Sequence, residues 1–169
     1  MLLTTAVLPL TLTAPTAHAA LVDAICAGSV QANFNPGLTF EAQTVNVSTT
    51  ARYPTCANLS GNGKQLAVAT ESFSGTGTAD CLTGVVGGSG TINWASGDTS
   101  GFTYQVTVSG RPDGVLELLA TGSITSGLFK GDKLTENITN IPNVRTQCLS
   151  ENGMTNASGT DDLVISPVV

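Results

Sequence analysis

With 169 residues, the chain is of single-domain size and can bury about two-thirds of its unfolded surface, so it needs no metal to fold. Its net charge is −6, and its six Lys and Arg form no basic run, which makes nucleic acid and anionic membrane surfaces poor partners. Nineteen glycines, abundant Thr and Ser and only 11% charged residues suit many short strands joined by tight turns, not helices.

Residues 1–19 have the form of a secretory signal. An apolar run to about Leu12 is followed by Ala17-His18-Ala19, small residues at the two positions that signal peptidase reads. No Lys or Arg precedes the run, a departure from the usual pattern. Cleavage after Ala19 would remove His18, the only histidine, and with it Ser/His/Asp and Cys/His catalysis and every His-containing zinc site. No later stretch approaches the ~18 apolar residues of a membrane helix. The mature part, from residue 20 on, is expected to be one soluble, exported, monomeric domain.

Cys26 opens a first strand through GSVQANF, and Asn35-Pro36-Gly37 reads as a turn. Val45 and Val47 alternate with Asn46 and Ser48 in a second strand that stops at Pro54. Residues 57–63 form a polar loop. Residues 65–80 read either as one bulged strand or as two short ones divided near Gly75 and Gly77. LTGVVGG reads as a loop leading to GTINW, where Ile92 and Trp94 face one way. After a turn at residues 95–98, Phe102, Tyr104, Val106 and Val108 alternate with Thr103, Gln105 and Thr107, and Arg111-Pro112-Asp113-Gly114 turns the chain again.

The longest hairpin spans residues 114–141, with SGLFKGD as its connection. Leu116, Leu118, Ala120, Gly122 and Ile124 share one parity, and Leu134 and Ile138 share a parity on the return. Folding about Leu128 pairs Leu118 with Ile138, Gly122 with Leu134 and Ala120 with Glu136. An irregular stretch after Pro142 carries Cys148, and a last strand lies around Asp161 to Ser166. Eight or nine strands with turn signals every 8 to 12 residues predict an antiparallel β-sandwich, with a closed antiparallel barrel as the alternative.

Four cysteines in an exported chain imply disulfides, and four allow three pairings. If successive strands alternate up and down, Cys26 and Cys56 lie at one end and Cys81 and Cys148 at the other. That favours Cys26–Cys56 and Cys81–Cys148. If residues 65–80 are two strands, the ends swap. No cysteine pair has the C-x2-4-C spacing of a zinc site, so neither metal nor cofactor is expected.

Without histidine, paired carboxylates are the remaining common catalytic option, and a glycosidase needs two on one face. Glu117 and Glu136 fall on opposite faces of the predicted hairpin. Glu136 shares the apolar face with Leu134 and Ile138, which makes it a buried-carboxylate candidate: a general acid of raised pKa, an inward charge that blocks edge pairing, or a partner of Arg111 or Arg145. Asp161 and Asp162 point to opposite faces and lack a calcium-loop pattern, so both are read as solvated surface. At the hairpin tip, Leu128, Phe129 and Lys130 either fold back over the end of the domain or contact a partner. Trp94 is read as core.

FNPGLTF, FSGTGTADC, GTINWASGDTSGF and ATGSITSGLFKGD, in this order, resemble small secreted all-β proteins of actinobacteria. The resemblance implies a disulfide-bonded, immunoglobulin-like sandwich in a Gram-positive secretome and transfers no catalytic residues. The expectation is therefore a secreted, non-catalytic binding or envelope-associated module with a protein, glycan or small-molecule partner. The alternatives are a carboxylate-dependent enzyme acting on glycans and a carrier of a small apolar ligand.

Overall fold

The computed structural model describes residues 22–110 and 116–168. The signal-like segment and the Arg111-Pro112-Asp113-Gly114 turn lie outside them. Eight strands follow in chain order: β1 (Ala24–Leu38), β2 (Gln43–Asn58), β3 (Ala69–Ala79), β4 (Thr83–Asn93), β5 (Thr99–Gly110), β6 (Leu116–Gly127), β7 (Lys133–Ile141) and β8 (Met154–Ser166), with a short helix α1 (Val144–Cys148) before the last.

Every strand pairs antiparallel with its neighbour in sequence, and β1 also pairs with β8, so the sheet closes into an up-and-down barrel. This realises the alternative form of the predicted all-β fold and replaces the immunoglobulin-like sandwich. A sandwich leaves two open sheets with edge strands, whereas here β8 returns beside β1 and each edge finds a partner. An eight-stranded barrel has an interior just wide enough for side chains to fill.

Alternation drives the closure. In β2, Val45, Val47, Ala51 and Tyr53 point inward and are buried, while Thr44, Asn46, Ser48, Thr50 and Arg52 are exposed. β3 and β5 repeat the scheme with Thr and Ser on the outside. The exterior of these strands is thus hydroxyl-rich, the reverse of a membrane barrel, which needs an outward apolar band. Among the described residues no helix is long and apolar enough to cross a membrane.

Three local expectations change. Asn35-Pro36-Gly37 stays within β1 instead of turning, and the β1–β8 register shifts between Asn33 and Leu38. Residues 65–80 supply one strand, not two. LTGVVGG is largely β4: the turn before it is tight, with Asp80 Oδ1 accepting from the Leu82 and Thr83 amides at 2.6 and 2.7 Å. Inside the barrel, aromatic rings cover Gly75 of β3 and Gly88 and Gly90 of β4. Phe73 stacks on Tyr104 at 4.3 Å and Tyr104 on Phe102 at 4.9 Å. A Cβ on Gly88 would lie 2.7 Å from the Phe73 ring, and one on Gly90 would lie 2.3 Å from that of Phe102.

Both disulfides form as the up-down reading favours. Cys26 and Cys56 are direct cross-strand partners on β1 and β2, and Cys81 in the β3–β4 turn joins Cys148 in α1. Disulfides of this kind belong to an oxidising compartment.

Candidate functional site: a carboxyl cluster inside the barrel

The predicted hairpin register holds: Leu118 faces Ile138, Gly122 faces Leu134 and Ala120 faces Glu136. Glu136 therefore points into the barrel and is 1% exposed. Two further acids meet it there. Glu71 on β3 and Asp161 on β8 follow the same inward parity as Phe73 and Leu163 and are 4% and 1% exposed.

Phenols from two other strands complete the cluster. The Tyr53 hydroxyl on β2 lies 2.7 Å from Asp161 Oδ2 and 3.3 Å from Glu71 Oε2, and the Tyr104 hydroxyl on β5 lies 3.4 Å from Glu71 Oε1. Thr49 of β2 is buried and hydrogen-bonds Tyr104. The Glu136 and Glu71 carboxyls also hydrogen-bond each other. Gly28 on β1 sits opposite Asp161 and leaves space for the Tyr53 ring, which a Cβ there would approach to 2.9 Å.

Proton bookkeeping fixes the state of this network. A phenol has one proton to give, so Tyr53 donates fully to Asp161 at 2.7 Å and leaves Glu71 at 3.3 Å only a weak share of it. A carboxyl–carboxyl hydrogen bond requires another proton. Burial raises the pKa of Glu71, Glu136 and Asp161 in the same direction. Glu136 is pushed well up by burial and then by the neighbouring Glu71 and Asp161 charges. Asp161 reaches about 7, the donated Tyr53 proton partly offsetting its burial. Burial and the surrounding acids also raise both tyrosines, which stay protonated.

Two expectations are corrected here. A closed barrel has no edge for Glu136 to guard, and Arg145 is exposed, so acids surround Glu136 where a guanidinium was expected. Arg111 lies outside the described residues. Asp161 is also not surface: alternation along β8 sends Asp162 out and Asp161 in. Glu117 is only half-buried, on the outward parity of β6. Among the described residues, all Lys and Arg are exposed, and no group of acids, His and Cys has the arrangement of a metal site.

The tip of the β6–β7 hairpin folds back over one end of the barrel, one of the two expectations for it. Phe129 meets Trp94 edge to face at 5.7 Å, Trp94 Nε1 donates to Ser100 Oγ at 2.8 Å, and Ser100 donates in turn to the Leu128 carbonyl. Leu128 and Phe129 are half-buried and Lys130 is exposed.

The class defined by fold and lumen is a disulfide-bonded, eight-stranded up-and-down barrel with a buried acid cluster in its core. No protein family, curated protein or solved structure matches the chain.

Proposed function

We propose that this chain is an exported, non-catalytic binding module that holds neutral, hydroxyl-rich glycan, such as envelope polysaccharide, on the outer face of β1–β5. The observation that carries the reading is the cross-strand order of uncharged polar side chains. Ser48, Ser74, Ser89 and Thr103 form one row across four strands, and Thr50, Ser72 and Thr91 form the next. Adjacent strands lie about 4.8 Å apart, so each row offers regularly spaced donors and acceptors. Shallow grooves of about 500, 350 and 490 Å³ run over this face, the first two meeting at Ser74 and the last two at Ser72. Hydroxyls and amides suit sugar hydroxyls, whereas a phosphate or a cation would call for charge; Arg52 stands alone at one end. The side chains of Glu71, Glu136 and Asp161 turn into the barrel and are almost fully buried, although Glu71 also borders one of these grooves. The two disulfides and the signal-like first 19 residues support export.

Co-sedimentation with insoluble neutral polysaccharides and isolated cell walls tests the proposal. Retention is expected for the native protein and for Glu151→Gln, with at least tenfold weaker retention for Ser74→Arg, which puts a long charged chain in the middle of the row. Retention that ignores Ser74→Arg, or no retention on any of these polymers, overturns it. Turnover of a soluble glycoside that is lost in Glu136→Gln would replace it with the enzyme reading.

A further inference from the structure

We propose that the lumenal carboxyl cluster makes folding proton-dependent, so that the barrel is hardened by acid and loosened as the pH rises through neutrality. The inference rests on geometry that the glycan-binding face does not use. Glu71, Glu136 and Asp161 come from β3, β7 and β8 and meet in a closed lumen whose other titratable members among the described residues are Tyr53 of β2 and Tyr104 of β5. The inward side chains of β1, β4 and β6 there are Cys, Gly and apolar residues. The charged groups on the strands packed around the cluster, Arg52, Glu117, Lys133 and Asp162, lie on the outward parity. Among the described residues no cation reaches the acids from within. Glu136 Oε1 and Asp161 Oδ1 are buried and have no hydrogen-bond partner among the protein's groups, so an ionised carboxylate at either place would be left unsatisfied by the protein.

The direction follows from linkage. In the unfolded chain these acids ionise near pH 4, whereas in the barrel they keep their protons to higher pH, to about 7 for Asp161. The native state then binds more protons than the unfolded state, and stability falls as pH rises through that window. Each proton released on unfolding makes the unfolding constant rise about tenfold per pH unit. Burial, and then the neighbouring Asp23, raises Asp132 near the barrel end to about 6 and adds to the same trend.

Denaturant unfolding of the disulfide-intact mature protein between pH 4 and 8 tests the proposal. The unfolding constant is expected to rise at least tenfold per pH unit from 5 to 7, and the slope to persist in Asp132→Asn and in the surface control Glu151→Gln. Glu136→Gln, which imitates the protonated acid, should match the native protein at pH 4, exceed it at pH 8 and flatten the slope. A flat or rising stability from pH 4 to 7, or a Glu136→Gln protein no more stable than native at pH 8, overturns the proposal. Infrared spectroscopy of the native protein at pH 7 gives an answer independent of any variant. A protonated-carboxyl carbonyl band shielded from solvent exchange supports the proposal, and its absence refutes it.

Discussion

Tyr53 joins two strands through one hydroxyl, and its value depends on the protonation of what it touches. Its phenol donates to Asp161 at 2.7 Å and contacts Glu71 at 3.3 Å. Tyr53→Phe keeps the ring and deletes that link, leaving buried oxygen without its partner, at a cost of about 1–3 kcal/mol. The deficit should widen with pH. The phenol holds the Asp161 pKa down, so without it the Asp161 pKa moves further up and more is lost as pH rises through 7. Urea denaturation of both proteins at pH 5 and pH 7.5 measures the difference, and an equal deficit at the two values would contradict this account. Some of this site is legible in sequence: the apolar parity of Leu134 and Ile138 places Glu136 inside. Asp161 carries the same signal, since Leu163 and Ile165 share its parity, but Val164 on the wet parity blurs it. That Glu71, Glu136 and Asp161 converge is not written locally, because only closure brings β3 to face β7 and β8.

At the scale of the strand, β4 escapes a reading based on propensity. Four glycines in eleven residues look like a loop, yet the strand is well formed: inward Val86 and Ile92 are buried, and Gly88 and Gly90 between them leave room for the Phe73 and Phe102 rings. The adjacent pair Gly87 and Gly88 separates the two roles that glycine plays here. A Cβ on Gly88 would lie 2.1 Å from the Ser74 carbonyl oxygen and 2.7 Å from the Phe73 ring, whereas one on Gly87 points outward and meets nothing nearer than Gln105 at 3.9 Å. Gly88→Ala should therefore destabilise by about 1–3 kcal/mol through overpacking. Gly87→Ala should be neutral or stabilise by about 0.4–1 kcal/mol, because alanine restricts the unfolded chain more than glycine does. Thermal unfolding of the two variants decides between this and a generic glycine effect, which would move both in the same direction. The β6–β7 hairpin was the easiest element to read, down to its register, because its apolar residues alternate without a glycine run.

Across the whole molecule, strand alternation predicted antiparallel sheet and the cysteine ends, but a sandwich and a barrel share both. The difference lies in whether the first and last strands pair, a contact between residues over a hundred positions apart that leaves no local mark. The disulfides show how the closed topology shares its stability. Cys26–Cys56 spans 30 residues and joins two positions that the β1–β2 ladder already holds opposite each other, while Cys81–Cys148 spans 67 residues and ties α1, between β7 and β8, to the β3–β4 turn. Chain entropy alone assigns roughly 3.5 and 4.5 kcal/mol to loops of these lengths, a narrow difference. Local consequences should differ far more. With Cys26 and Cys56 both replaced by alanine, the ladder still holds β1 to β2, and hydrogen exchange there should stay slow. With Cys81 and Cys148 replaced, α1 has only five residues and too little packing to persist by itself, so amides of residues 143–149 should exchange at least tenfold faster while the β3–β4 ladder keeps its protection. Unchanged exchange in α1 would mean that its buried Val144 is enough to dock it, and that the second disulfide acts only on the unfolded chain.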